Sequence, residues 1–148
     1  METLKYQTEI NASAEKVWDV LWNENTYSKW TYFFSPDSNM VTDWQVGGKT
    51  YFTDSSKKNG MVSTIDKIEE NKYLVFKHLG EIKDGVEDTE SEKVKVWSGG
   101  KEAYYLEENN GKITLKVEVD SDDSFKDMFD NGFKKGLEII KELSEKNQ

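Results

Sequence analysis

Alternating apolar and polar positions predict a sheet that takes up most of the chain. Residues 4–10 alternate in this way, and further strand patterns separated by short turns follow from about residue 39 to residue 119. The Asn110-Gly111 pair suits the positive φ angles of a tight hairpin. The last strand alternates without a break through Ile113, Leu115, Val117 and Val119. We expect the face that these four residues share to belong to the core.

Helical periodicity appears on both sides of the predicted sheet. Ser13 is a suitable N-cap for a helix over residues 14–22, and a second short helix is predicted over residues 26–30. A long amphipathic helix is predicted from Ser124 to Glu145, capped by Ser121 or Asp122. Its apolar stripe consists of Phe125, Phe129, Phe133, Leu137, Ile140 and Leu143. Antiparallel strands with helices on one face predict an α+β fold, and the length predicts one domain over residues 1–148.

Residues 80–100 are the segment that the pattern predicts least well. Residues 81–92 hold six acids and one lysine, which favours a solvated acidic loop. The acids do not have the spacing of an EF-hand calcium loop. Beyond them, Val94 and Val96 alternate like a strand, although Ser91 could equally cap a helical turn. The sequence therefore leaves both a strand and a helical turn open for the residues that follow Ser91.

Composition excludes several classes of function. The chain carries 29 acids against 20 bases, all of them lysine, for a net charge of −9. Without arginine or a basic surface, nucleic-acid binding is excluded. There is no cysteine and only one histidine, His78, so we predict no metal and no cofactor. No apolar run is long enough to span a membrane and no secretory signal is visible, so we expect a cytoplasmic location.

Three stretches of the sequence resemble one known superfamily. They are residues 10–21 together with Trp30, residues 42–49, and residues 72–76 together with the closing helix. The chain is similar to the SRPBCC (START-related, Bet v-like) superfamily, and within it to the family named for the activator of the heat-shock chaperone ATPase. The resemblance implies a helix-grip fold, in which a curved antiparallel sheet wraps around a long C-terminal helix, with two short helices after the first strand.

The resemblance also implies a function. Members of the superfamily enclose an apolar cavity and bind lipids, sterols or polyketides, so our leading hypothesis is a protein that binds or carries a small apolar molecule without chemistry of its own. A chaperone-associated interaction protein is the second hypothesis. A cyclase or hydrolase is the third, with His78 and Tyr104 as acid–base groups, although no catalytic constellation is visible in the sequence.

A set of residues on the predicted sheet and helix would line this cavity: Trp30, Thr42, Trp44, Phe52, Phe76, His78, Tyr104, Phe129, Gly132, Phe133 and Gly136. The aromatic members could equally fill a core, and His78 could be a structural histidine. Gly132 and Gly136 either let the helix approach its neighbours closely or leave open volume beneath it. The sequence leaves these alternatives open.

Overall fold

Antiparallel strands form the sheet that the alternating pattern predicts. This computed structural model describes residues 1–146. Its strands are β1 (Glu2–Ile10), β2 (Asn39–Thr42), β3 (Lys49–Thr53), β4 (Gly60–Glu69), β5 (Tyr73–Lys83), β6 (Val86–Asp88), β7 (Lys101–Asn109) and β8 (Lys112–Ser121). Their order across the sheet is β1-β8-β7-β5-β4-β3-β2, and β6 pairs with the far end of β5. Sequence neighbours are mostly joined as hairpins, which is why local turn signals predicted the sheet well.

The helices lie between the strands in the predicted order. They are α1 (Ala14–Trp22), α2 (Glu24–Trp30), α3 (Glu92–Lys95) and α4 (Lys126–Glu145). The Ser13 hydroxyl accepts the Lys16 backbone N–H at 3.1 Å, which confirms the predicted N-cap of α1. Asn23 then caps α2 by accepting the Asn25 N–H at 2.9 Å, so α2 begins two residues earlier than predicted.

The start of the last helix differs from the prediction. Residues Asp123–Phe125 form a 3-10 turn, in which the Phe125 N–H bonds to the Asp122 carbonyl at 3.0 Å, and α4 begins only at Lys126. Ser121 is the last residue of β8 and is not a cap. The tighter turn changes the helical phase, so Phe125 is 42% exposed and does not join the buried stripe.

Residues 80–100 contain the end of β5, the short strand β6 and the helical turn α3, so the acidic part is not only a solvated loop. β5 runs on into this segment and turns at Asp84 and Gly85, whose φ angles are positive, to pair with β6. Ser91 then stands at the N-cap position of α3. The helical alternative therefore holds for the valines: Val94 is fully buried, whereas Val96 is 59% exposed.

The core lies between the inner face of the sheet and the helices α1, α2 and α4. All four alternating residues of β8 are buried there, as predicted: Ile113, Leu115, Val117 and Val119. Val17, Leu21, Phe133, Leu137 and Ile140 pack against the same cluster from the helices. The arrangement is the α+β helix-grip fold that the sequence predicted, with a curved sheet and a long C-terminal helix.

Two kinds of feature are absent from the part of the chain that the structure describes. Within residues 1–146, no helix combines the length and the apolar character that crossing a membrane requires. The same residues bring together no group of three or more His, Cys, Asp or Glu side chains suited to a metal ion.

Two acids of the segment that the sequence predicts to be a solvated loop form ion pairs. Glu81 pairs with Lys93 at 2.7 Å, and Glu87 pairs with Lys49 at 2.8 Å.

Candidate functional site

A cavity of about 490 Å³ lies between the inner face of the sheet, the chain from α2 to β2, and the first turns of α4. Most of its wall is apolar and aromatic, with contributions from Trp22, Tyr27, Trp30, Phe34, Phe52, Met61, Trp97, Tyr104, Phe125, Met128, Phe129 and Phe133. Because β5 and β7 are adjacent in the sheet, they also place polar side chains on this wall. The cavity therefore combines an apolar body with a polar region.

The structure places some of the predicted lining residues on this cavity: Trp30, Phe52, His78, Tyr104, Phe129 and Phe133. Three others lie elsewhere. Phe76 is fully buried in the core, where its ring packs on Trp22. Thr42 accepts a hydrogen bond from the Thr50 hydroxyl at 2.8 Å. Trp44 sits in a turn at φ +60°, which directs its ring to the outer side of Trp22 with 39% of the residue exposed.

Gly132 and Gly136 mark close packing, and the prediction that they line the cavity is wrong. A Cβ atom built on Gly132 would lie 2.3 Å from the Phe34 ring, and one on Gly136 would lie 2.9 Å from the Trp30 carbonyl oxygen. Neither distance leaves room for a side chain without displacement. The absence of side chains on this face of α4 therefore lets α2 and the Phe34 ring approach the helix closely, and leaves no open volume there.

His78 lies between polar side chains of the two neighbouring strands. It is only 5% exposed, and its Nδ1 atom lies 2.6 Å from the Ser63 Oγ on β4. Its Nε2 atom lies 3.2 Å from Glu102 Oε1 on β7, which is an ion-pair distance but off the direction needed for a hydrogen bond. The arrangement suits an imidazole whose proton is on Nε2 and whose Nδ1 accepts from the Ser63 hydroxyl.

Glu102 is the charged centre of this polar region. The Tyr104 hydroxyl donates a hydrogen bond to the second oxygen of the carboxylate, Oε2. Burial, followed by the charge of Glu102 and by this hydrogen bond, raises the pKa of Tyr104 well above its usual value. Burial and the same charge also raise the pKa of Tyr27, another lining residue of the cavity. Both phenols therefore stay protonated and can act as donors.

Several lining residues carry a buried polar atom that has no hydrogen-bond partner within residues 1–146. These atoms are Trp22 Nε1, Asn39 Nδ2, Thr53 Oγ1 and His78 Nε2. An unpaired buried polar group costs roughly 1–3 kcal/mol, so most proteins satisfy such groups. Four of them around one cavity indicate a site at which a bound molecule or water supplies the missing partners.

A second concavity, of about 730 Å³, lies at the end of the sheet formed by the β4–β5 and β7–β8 turns. Half of its lining residues are charged: Glu70, Lys72, Glu107, Glu108, Lys116 and Glu118. Two of them, Lys116 and Glu107, form an ion pair at 2.5 Å. The aromatic side chains on this wall are Tyr73 and Tyr105, and none of its lining residues carries one of the unpaired buried atoms found around the first cavity. We therefore take the first cavity as the candidate site.

Sequence reasoning missed Glu102, Ser63, Trp22 and Phe34. Strand alternation was the signal for Glu102, because a residue two positions before Tyr104 must share its face of the sheet. Ser63 is the cross-strand partner of His78, a pairing that depends on the shift in register beside Val62. Phe34 follows α2 in a stretch with no periodicity, so no local pattern could have placed it.

Comparison with known proteins gives one family. The family model for "Activator of Hsp90 ATPase homolog 1-like protein" matches residues 11–145. No curated protein sequence matches the chain.

Solved structures share this fold at low sequence identity. The solution structure of the Aha1 dimer from Colwellia psychrerythraea is 16% identical with a TM-score of 0.72, covering 100% of this chain and 99% of that one. DynU16, a putative protein in the dynemicin biosynthetic locus, is 13% identical with a TM-score of 0.69, covering 100% of this chain and 49% of that one. CalU16 from Micromonospora echinospora is 13% identical with a TM-score of 0.67, covering 98% and 66%. At these identities the likeness shows the fold alone.

Proposed function

This chain belongs to the Activator of Hsp90 ATPase homolog 1-like family, and from that premise we propose that it binds or carries a small, mainly apolar molecule in the cavity of about 490 Å³. One observation carries the proposal: an aromatic-walled cavity surrounds the buried polar cluster of His78, Glu102 and Tyr104. Small-molecule sites are typically apolar concavities of roughly 300–1,000 Å³ with a few polar groups that orient the ligand.

The unpaired atoms support a ligand over an empty packing defect. A cavity that is only a defect in packing is lined by apolar atoms and leaves no donor waiting for a partner. Here Trp22 Nε1 and Asn39 Nδ2 are donors without an acceptor within residues 1–146, and both belong to lining residues of the cavity. A ligand that carries an oxygen atom on an apolar frame would satisfy both kinds of surface. Lipids, sterols and polyketide-like molecules are the classes that fit this description.

The experiment is to fill the cavity without disturbing the core. Met61 lies on β4 at the cavity wall and is half-buried, so Met61→Trp extends a ring into the open volume. Val86→Trp is the matched control, because it adds the same ring at a position that is 69% exposed and outside the cavity. We expect Met61→Trp to lose binding of an apolar fluorescent probe, such as a naphthalene derivative, and Val86→Trp to keep it. Native mass spectrometry of protein from its own host would identify the ligand.

The cluster around His78 supports a second candidate, an enzyme that uses the same cavity. His78 stands between a hydroxyl and a carboxylate, Ser63 and Glu102, and could move a proton to or from a bound substrate. Once native mass spectrometry has identified the ligand, incubation with it decides between the two. A wild type that converts the ligand, together with a His78→Gln variant that binds but does not convert it, would favour the enzyme.

A chaperone partner is a separate proposal that rests on the name of the family and on exposed apolar side chains near the mouth of the cavity. These are Tyr32, Phe33, Phe125 and Met128, each more than 40% exposed. If they form a binding surface, Phe33→Ser with Phe125→Ser should abolish any stimulation of a purified Hsp90 ATPase from the same host. Stimulation by wild type and variant alike, or by neither, would argue against this surface.

A further inference from the structure

The charge of the cavity wall is of one sign. Resting on the proposed function, we propose that the ligand is an organic cation, an apolar amine or quaternary ammonium compound, and that Glu102 receives its charge. The lining residues include no lysine, whereas five of them are acids: Asp54, Glu81, Glu102, Asp120 and Asp122. A fatty acid or another carboxylate would have to bring a negative charge into this field.

Within residues 1–146, four of these acids have no lysine in an ion pair with them: Asp54, Glu102, Asp120 and Asp122. Glu81 is paired, since Lys93 lies 2.7 Å away. Asp120, in contrast, accepts from the Thr3 hydroxyl at 2.7 Å and from the Lys101 backbone N–H at 3.0 Å, and both donors are neutral. Asp122 accepts from the Ser124 hydroxyl at 3.0 Å. Hydrogen bonds of this kind hold a carboxylate in place without cancelling its charge.

Glu102 is the acid that belongs to the polar cluster around His78. Its side chain is only 17% exposed, and its partners are the Tyr104 hydroxyl and the His78 ring, with no lysine paired to it within residues 1–146. In this partly dry setting a charge acts more strongly than it does in water. A cationic ligand would place a full positive charge beside this carboxylate, in addition to its contacts with the His78 ring and the Tyr104 hydroxyl.

The aromatic wall favours the same class of ligand. Trp22 and Trp30 lie against Tyr104 with ring centroids 5.0 and 6.2 Å away, and Phe52 lies 6.3 Å from His78. The faces of aromatic rings attract cations, and tryptophan attracts them most strongly. Aromatic rings beside a carboxylate are how proteins recognise ammonium groups. The unpaired donors Trp22 Nε1 and Asn39 Nδ2 leave room for a neutral oxygen on the same ligand.

The test uses three probes that share one aromatic frame and differ in charge. Isothermal titration calorimetry measures the affinity of the protein for 1-naphthylmethylamine, 1-naphthalenemethanol and 1-naphthoate at pH 7. The buffer contains about 150 mM salt, so charges more than roughly 8 Å from the probe are largely screened. We expect the amine to bind at least about tenfold more tightly than the alcohol, and the alcohol more tightly than the naphthoate. If naphthoate binds as tightly as the amine, the cation proposal is overturned, whereas the proposal of an apolar site is supported. Binding of none of the three would overturn the apolar site itself.

Variants then locate the charge. Glu102→Gln should remove most of the advantage of the amine over the alcohol while leaving the alcohol's affinity within about twofold. Glu107→Gln is the matched control, because it removes the same charge from the same strand at an exposed position outside this cavity. Equal losses in both variants would show that net charge, and not Glu102, selects the cation. If Glu102→Gln does not fold, the order of the three probes on the wild type still decides the proposal.

Discussion

The two halves of α4 have the same amphipathic pattern, but the second half packs against the core and the first half faces the cavity. In the second half, Leu137 and Ile140 are buried against the core, and Lys141 and Glu145 fix the helix to the end of β1 through the Glu9 carbonyl and the Asn11 N–H. In the first half, Phe129 is only half-buried and faces the cavity. Helical periodicity identifies the face that points inward, but it does not tell whether that face meets a packed core or an open volume.

The boundary between the two halves lies at the glycines. Phe133 is 1% exposed and stacks on Tyr6 at 4.9 Å, so the helix is already in contact with the sheet at that turn. Gly132 and Gly136 flank it and bring α2 against the helix. Substitutions on the two sides of this boundary can therefore test whether stability depends mainly on the second half of α4 and the proposed ligand binding on the first half.

The largest expected effect belongs to the packed half. Leu137→Ala should lower the free energy of unfolding by about 2–5 kcal/mol, because it empties a buried site that the rigid core refills only in part. Lys134→Ala, one turn earlier on the exposed face, should change it by less than about 0.5 kcal/mol. Urea melts measure the free energy of unfolding of both variants. Similar values for the two variants would mean that the helix is not packed as described.

The next prediction sharpens the boundary itself. Gly136→Leu should lower the free energy of unfolding by about 1–2 kcal/mol. Overpacking against the Trp30 carbonyl and α2 costs up to about 3 kcal/mol, and the gain in helix propensity offsets close to 1 kcal/mol of that. Glu138→Leu is the control at an exposed position of the same helix. A Gly136→Leu protein that melts at or above the wild-type temperature would show open volume where we describe contact.

The polar wall of the cavity gives a prediction in alkaline solution. Because burial raises the pKa of Tyr27 and Tyr104, the folded protein holds protons that the unfolded chain releases above about pH 10. Stability should therefore be unaffected below pH 10 and fall above it, by about 1.4 kcal/mol per pH unit for each such tyrosine. Tyr104→Phe should remove one of these contributions. Urea melts between pH 9 and pH 11 measure the slope, and equal slopes in wild type and variant would contradict the prediction.

The smallest expected effect on stability belongs to the cavity half. Phe129→Ala should cost only about 1–1.5 kcal/mol, half of what a fully buried ring contributes, because its ring is already partly open to the cavity. Its effect on probe affinity should be larger than that of Leu137→Ala. Urea melts and probe titrations compare the two variants. A larger loss of probe affinity in Leu137→Ala than in Phe129→Ala would mean that the proposed binding wall is assigned to the wrong half of the helix.

How much could be predicted from the sequence depends on whether a feature is local. Hairpins, caps and the alternating face of β8 are encoded within a few residues, and they predict the α+β fold correctly. The family was predicted correctly from the resemblance of residues 10–21, 42–49 and 72–76 to known members. The cavity is different, because it arises where Phe34, Glu102 and Phe129 meet from distant parts of the chain. The glycines of α4 were recognised as unusual, but their neighbour Phe34 could not be identified without the tertiary structure.

Titration of a naphthalene probe against the wild type, Met61→Trp and Val86→Trp decides whether the cavity is a ligand site. Circular dichroism checks that each protein is folded. We expect the wild type and Val86→Trp to bind with equal affinity and the folded Met61→Trp protein to bind at least about tenfold more weakly. Equal binding by all three proteins would place the probe outside the cavity. Binding by none of them would contradict the central claim, that the space between the sheet and the first half of α4 is a ligand site.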